Sequence, residues 1–302
     1  DGLDVLDGHS VDSFDGNLRW FGRNDQPALG EYFMRLFITA LLLVCLVIAA
    51  PTAKAQSNLV DLELVIAVDV SGSVDDDEAA LQRQGYIKAF RDPKIIEAIT
   101  RGQMGAIAVT YFEYAGSHHQ LTLVDWSRIT GAESASNFAD ALAFEPIIVN
   151  VWTSISGAIE AGQVAFRRSP YQGRRHVIDV SGDGANNGGT LVTAARDLAL
   201  VDGITINGLP IVNDKLSRYG RPQIPNLDYY YTDCVIGGPG AFIIVANGFE
   251  DYARAVRHKL ILEIAGVVPI KKPVATFMPA YGHDRPSCTI GESLRQDWED
   301  DF

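Results

Sequence analysis

The sequence predicts an α/β protein: a doubly wound, mostly parallel open sheet with one antiparallel edge strand and helices on both faces. Three observations lead there. Short apolar runs alternate along the chain with longer segments of helical period, and strands alternating with helices of that length build a parallel sheet covered on both sides. The runs LELVIAV (62–68) and AFIIVA (241–246) are almost continuously apolar, as strands at the centre of such a sheet are. MGAIAVTYFEYA (104–115) and HQLTLVDWSRI (119–129) are separated by little more than a turn, which joins antiparallel strands and not parallel ones.

In chain order, LELVIAVDV (62–70) is a strand and DDDEAALQRQGYIKAF (75–90) a helix, followed by the two strands just named. SNFADALAF (136–144) reads as a short helix. TSISGAIEAGQVAFRR (153–168) is a clearer one, with Ile155, Ala158, Ile159, Gly162 and Phe166 on one stripe. RRHVIDVSGDG (174–184) is a strand and a loop, TLVTAARDLALVDG (190–203) a helix, and TINGLPIV (205–212) a strand. AFIIVAN (241–247) and FEDYARAVRHKLILEIAG (249–266) add a last strand and helix. Residues 214–240 break the alternation with Pro, Gly and three consecutive tyrosines, and read as a long loop beside the last strand. Residues 267–302 are Pro-rich and then acidic, and read as an extended C-terminal tail.

Residues 34–55, MRLFITALLLVCLVIAAPTAKA, carry the basic start, apolar stretch and small-residue end of a secretory signal peptide. The apolar run is too short and too weakly flanked to prefer a permanent membrane span. Residues 1–33 are rich in Gly and Asp without sustained period, and read as a disordered extension or a start-site artefact. Residues 56–266 are then the folded domain. Residues 1–55 hold seven acidic and four basic side chains, so cleavage after Ala55 takes the net charge from −13 to −10. That balance argues against nucleic acid as a partner, which needs a concentrated positive surface, and suits a cation. Cys45 leaves with the signal. Cys234 and Cys288 remain; two separated cysteines specify no metal site, but in an oxidising compartment they can tie the tail to a late loop.

Ligands of open α/β sheets bind outside the carboxyl ends of the strands, and three polar loops fall at such places. They are Asp69-Val70-Ser71-Gly72-Ser73, the helix entrance Thr153-Ser154-Ile155-Ser156, and Ser181-Gly182-Asp183-Gly184-Ala185-Asn186-Asn187. Each alone also reads as plain structure: a helix cap at the first two, a turn pair at Asp183-Gly184. All three in this order, each after the proper kind of element, favour a common site. Their side chains offer oxygen and no His or Cys, which suits hard Mg²⁺, with Mn²⁺ or Ca²⁺ as alternatives, and not zinc. Asp69 and Asp183 side by side in a cleft would repel one another without a cation.

This arrangement resembles the von Willebrand factor type A domain and its metal-ion-dependent adhesion site. The residues that carry the resemblance are Asp69, Ser71 and Ser73 after LELVIAV, Thr153 before SISGAI, and Asp183 in SGDG; it spans roughly residues 59–266. It implies a Rossmann-like sheet with the site at its top edge and Ser71, Ser73 and Thr153 as hydroxyl ligands. Asp69 and Asp183 would hold the metal largely through waters, and a Glu or Asp of a protein or peptide partner would complete the sphere. The third loop departs from the family's Thr-Asp-Gly, reading Gly182-Asp183-Gly184, and Ser181 is the candidate to compensate. SGDGANN with the signal segment is more similar to a bacterial subgroup of secreted type A domains known mainly as a domain of unknown function. That implies periplasmic or extracellular placement.

The expected function is therefore Mg²⁺-dependent protein binding and not catalysis. The alternatives are a metal-assisted hydrolase, for which Glu113 or Asp125 would have to reach the cluster, and a metal-stabilised structural domain in a secreted complex. His118-His119 reads as an ordinary turn or surface pair, since adjacent strand residues face opposite sides. Tyr229, Tyr230 and Tyr231 are either an aromatic binding surface or rings covering the sheet edge. Arg167, Arg168, Arg174 and Arg175 read as solvated charges.

Overall fold

The run LELVIAVD is buried at every position, and the fold is built outward from it. A computed structural model describes residues 58–217, 220–266 and 285–300, all within the unit Ser57–Phe302. The expected signal segment, the N-terminal extension and the stretch 267–284 lie outside the described residues. The strands are β1 (Leu59–Val60), β2 (Leu62–Asp69), β3 (Ile107–Tyr114), β4 (Gln120–Ile129), β5 (Gln172–Gly173), β6 (His176–Gly182), β7 (Thr205–Val212) and β8 (Ala246–Asn247). The α-helices are α1 (Asp76–Phe90), α2 (Pro93–Thr100), α3 (Ala132–Phe144), α4 (Ile155–Arg168), α5 (Val192–Val201), α6 (Leu227–Tyr230), α7 (Tyr252–Ala265) and α8 (Ile290–Asp300).

The main sheet has the order β4-β3-β2-β6-β7-β8. β4 is antiparallel to β3 and forms one edge, and the other pairings are parallel, as the sequence predicts. Side chains alternate along β2, so Leu62, Leu64, Ile66 and Val68 join one core with α1, α2, α3 and α7. Val65 and Ala67 join the other, with α4 and α5. Asp75 and Glu78 form a capping box that starts α1 beside the first polar loop, and Ser154 caps α4 by accepting from Gly157 N–H.

Three regions differ from expectation. AFIIVAN is not a central strand: only Ala246–Asn247 pairs regularly, at the sheet edge, and 241–245 are half-buried. Phe242 N–H there donates to the Asn207 side chain instead of a neighbouring strand, which breaks the ladder. The loop 214–240 contains α6 and a π-helical turn, Tyr231–Val235, with Tyr230 and Tyr231 fully buried in the α4/α5 core. The tail is not extended throughout, since residues 290–300 form α8. Cys288, just before α8, is joined to Cys234 in the π turn.

The buried cations Arg83 and Lys259 are paired. Arg83 of α1 meets Glu113 of β3 at 2.6 Å and also donates to the carbonyls of Glu145 and Pro146. Lys259 of α7 meets Asp179 at 2.5 Å and also Glu263. Burial and the neighbouring Glu263 push Asp179 up to about 7, against the pull of Lys259. Removing one partner of such a pair strands a charge in the core. Glu113→Ala is expected to lower the free energy of unfolding by about 3–5 kcal/mol, measured by urea denaturation; a loss below about 1 kcal/mol would show that Arg83 does not depend on it.

Candidate metal-ion site

Because β2, β3, β6 and β7 run the same way, their carboxyl ends open on one edge of the sheet. Asp69 ends β2 and Asp183 directly follows β6. Asp69 is fully buried and its Oδ1 accepts from Ser71 N–H at 2.8 Å, which folds the first loop back over the strand end. Ser71 Oγ and Ser73 Oγ lie 3.0 Å apart. Ser73 Oγ donates to Asp183 Oδ1 at 2.6 Å, and Thr153 Oγ1 donates to Ser71 Oγ at 3.0 Å. The structure thus brings all five sequence-predicted residues into one chain of contacts, from three loops distant in sequence.

Thr153 is held there by the third loop. Its N–H donates to Asn187 Oδ1 at 2.7 Å, and Asn187 N–H donates to the Thr153 carbonyl at 2.8 Å. Asn186 Oδ1 accepts from Ser156 N–H at 2.9 Å. Trp152 adopts a left-handed conformation, with φ of 67°, uncommon for a bulky residue, so the backbone turns sharply just before Thr153. Asn186 and Asn187 stood in the sequence reading as loop residues without a role; their position after SGDG is the only signal they gave.

Burial pushes the Asp69 carboxyl well above its ordinary range, and the nearby Asp183 pushes it further. Burial also raises Asp183, to about 6, opposed by the Ser73 hydrogen bond and reinforced by Glu78. Both carboxylates are costly to ionise without a counter-charge. Asp69 Oδ2 is buried and has no hydrogen-bond partner among the described residues. Among those residues no three His, Cys, Asp or Glu gather to hold a metal; the cluster instead combines two carboxylates with three hydroxyls. That donor chemistry fits a hard cation.

Other expectations need correction. Ser181 does not compensate for the absent threonine hydroxyl: strand alternation turns it with Asp179 toward α7, where Tyr252 donates to its Oγ at 2.9 Å. Glu113 is bound to Arg83 and does not line the cleft, and Asp125 is exposed on edge strand β4. A lysine does line it, Lys215, which is tied to Glu78 at 2.9 Å. His118 and His119 do stand in the turn between β3 and β4, as expected, with His119 meeting the Asn150 side chain. Arg175 donates to the carbonyls of Glu263 and Ile264, closing the end of α7, and so is not simply solvated.

A cleft of about 500 Å³ opens above the cluster, and its far wall is the C-terminal helix α8. Glu292 accepts from Asn186 Nδ2 at 2.7 Å and Arg295 donates to the Asn187 carbonyl at 3.2 Å. Arg295 lies 4.1 Å over the Trp152 ring, Trp152 meets Trp298 edge-on at 4.9 Å, and Arg221 covers Trp298 at 4.7 Å. The tail therefore contributes Leu294, Trp298 and an Arg295 already paired with Glu299 to the wall opposite an acidic and hydroxylic floor.

The sheet order, the two helical layers and the loops gathered at the strand ends give a doubly wound α/β fold like that of the von Willebrand type A domain. Residues 59–268 match the family described as "Protein of unknown function (DUF1194)", and the chain belongs to that family. Among solved structures it is similar to a pilus adhesin, SpaC, from Lactobacillus rhamnosus GG, at 12% identity and a TM-score of 0.51 over 70% of this chain and 31% of that one. It is also similar to proximal thread matrix protein 1 from the mussel byssus, at 11% identity and a TM-score of 0.50 over 70% of this chain and 49% of that one. The chain thus spans half or less of the length of these relatives, and the likeness is one of fold. No curated protein matches it in sequence.

A carboxylate whose pKa is raised on folding favours the folded state below its ordinary value, near 3.8 for Asp183, and withdraws that support as pH rises through about 6. In chelator, the free energy of unfolding is expected to fall between about pH 4 and pH 7. Asp183→Asn is expected to remove roughly 2–3 kcal/mol of that fall. Urea denaturation across the range measures it; an equal slope in parent and variant would contradict the assignment.

Proposed function

We propose that the domain binds a divalent cation, Mg²⁺ foremost, through Asp69, Ser71, Ser73, Thr153 and Asp183, and through it captures a Glu or Asp side chain of a protein or peptide partner. The spacing of the oxygens carries this reading. Neighbouring ligands of an octahedral Mg²⁺ with bonds of about 2.1 Å stand about 3.0 Å apart, and the side-chain oxygens of Thr153, Ser71, Ser73 and Asp183 follow one another at 3.0, 3.0 and 2.6 Å. Ca²⁺, with bonds of about 2.3–2.6 Å, would spread them to roughly 3.3–3.7 Å, so Mg²⁺ or the similar Mn²⁺ fits with less movement. Three neutral hydroxyls leave the cation electron-poor, and a partner carboxylate is the ligand such a centre attracts. The guanidinium group of Arg221 on the opposite wall favours the same charge.

Among the described residues the cleft lining holds no His or Cys, and with Lys215 already paired this supports binding over hydrolysis. The adhesin among the structural relatives is consistent with a protein-binding role. The Cys234–Cys288 bridge supports a secreted, periplasmic or extracellular setting, where disulfides persist.

Isothermal titration of the protein with Mg²⁺ tests the cation site. Saturable binding is expected in the parent and none in a folded D69A/D183A variant; unchanged binding in that variant would overturn the proposal.

A further inference from the structure

Gly182 stands where the type A pattern carries threonine, and the structure shows what fills the place. A Cβ on Gly182 would lie 2.7 Å from Asp69 Oδ2, 2.9 Å from Asp69 Cβ and 3.0 Å from the hydroxyl of Tyr231. No side chain can enter there while Asp69 and Tyr231 hold their positions. Tyr231 reaches the spot from the π turn, and a second glycine admits its ring, since a Cβ on Gly208 would lie 2.8 Å from Tyr231 Cδ1. Two adjacent strands, β6 and β7, therefore each give up a side chain where this one phenol passes.

The phenol is fully buried, and its hydroxyl lies beside that of Tyr114 but makes no well-formed hydrogen bond among the described residues; neither does Asp69 Oδ2. Tyr114, close by in the same core, donates its own hydroxyl to the Ser181 carbonyl. A buried polar atom without a partner costs roughly 1–3 kcal/mol, and here a donor and an acceptor in that condition flank the same glycine.

Resting on the cation-site reading above, we propose that Tyr231 is a positioning residue of that site, its hydroxyl holding Asp69 Oδ2 through one water in place of the threonine hydroxyl. Ser71 N–H fixes one oxygen of Asp69 and Tyr231 fixes the other, so the carboxylate is presented to the cation in a single orientation. Gly182 and Tyr231 are then one device: the missing side chain makes room for the replacement donor. Groups that orient the residues around a metal commonly change its affinity 10–100-fold when removed.

Tyr231→Phe removes the hydroxyl and keeps the ring. Mg²⁺ titration of this variant is expected to show affinity about 10–100-fold weaker than the parent, with its thermal unfolding in chelator not lowered. Tyr252→Phe is the control: it deletes an equally buried phenol that serves Ser181 on the opposite face, and is expected to leave Mg²⁺ affinity within about twofold while lowering stability. Parental affinity in Tyr231→Phe would overturn the proposal, and so would equal weakening in both variants, which would mark a packing effect. If the parent itself takes up no Mg²⁺, the cation-site reading fails first and this inference with it.

Discussion

The repulsion between Asp69 and Asp183 is the constraint on which the upper edge of this fold turns. β2 and β6 are adjacent and parallel, so a carboxylate at the end of each is brought into one buried pocket, and burial and proximity both oppose ionisation there. Two contacts limit that cost, Ser71 N–H on Asp69 and the Ser73 hydroxyl on Asp183, while Glu78 at the start of α1 adds to it. These neutral donors relieve the charge without cancelling it. A site built this way gains most from a cation.

The second half of the chain serves the same edge from a distance. Asn186 and Asn187 tie the Asp183 loop to the Thr153 loop, so two of the three loops move as one. α8 packs on those asparagines through Glu292 and Arg295, and Gly291 is needed there because a Cβ would overlap the Asn186 carbonyl. The Cys234–Cys288 bridge anchors the start of α8 to the turn that carries Tyr231. The element that walls the cleft and the element beneath Asp69 are thereby covalently joined. The family match ends at residue 268, and this wall lies beyond it.

Much of the sheet and the five candidate ligands were legible because each depends on local pattern. LELVIAVD can be buried only between neighbours on both sides, the turn near residues 116–119 forces β4 antiparallel, and Asp69, Thr153 and Asp183 each stand at the start or end of a recognisable element. What escaped depends on contacts between segments far apart. AFIIVA has a central strand's composition but lies at the edge, where Asn207 captures its backbone. Pro and Gly around the three tyrosines signalled a loop, though the rings bury and make helical turns. Gly182 read as a lost hydroxyl, since a glycine does not disclose which distant side chain uses its space.

The central claim is that these oxygens converge on a divalent cation. It is tested most directly by anomalous diffraction from crystals grown with Mn²⁺ in place of Mg²⁺. The account predicts one strong peak bounded by Ser71 Oγ, Ser73 Oγ, Thr153 Oγ1 and the Asp183 carboxylate. Crystals with full Mn²⁺ in the solvent and no peak among those atoms, or a peak only elsewhere, would contradict it.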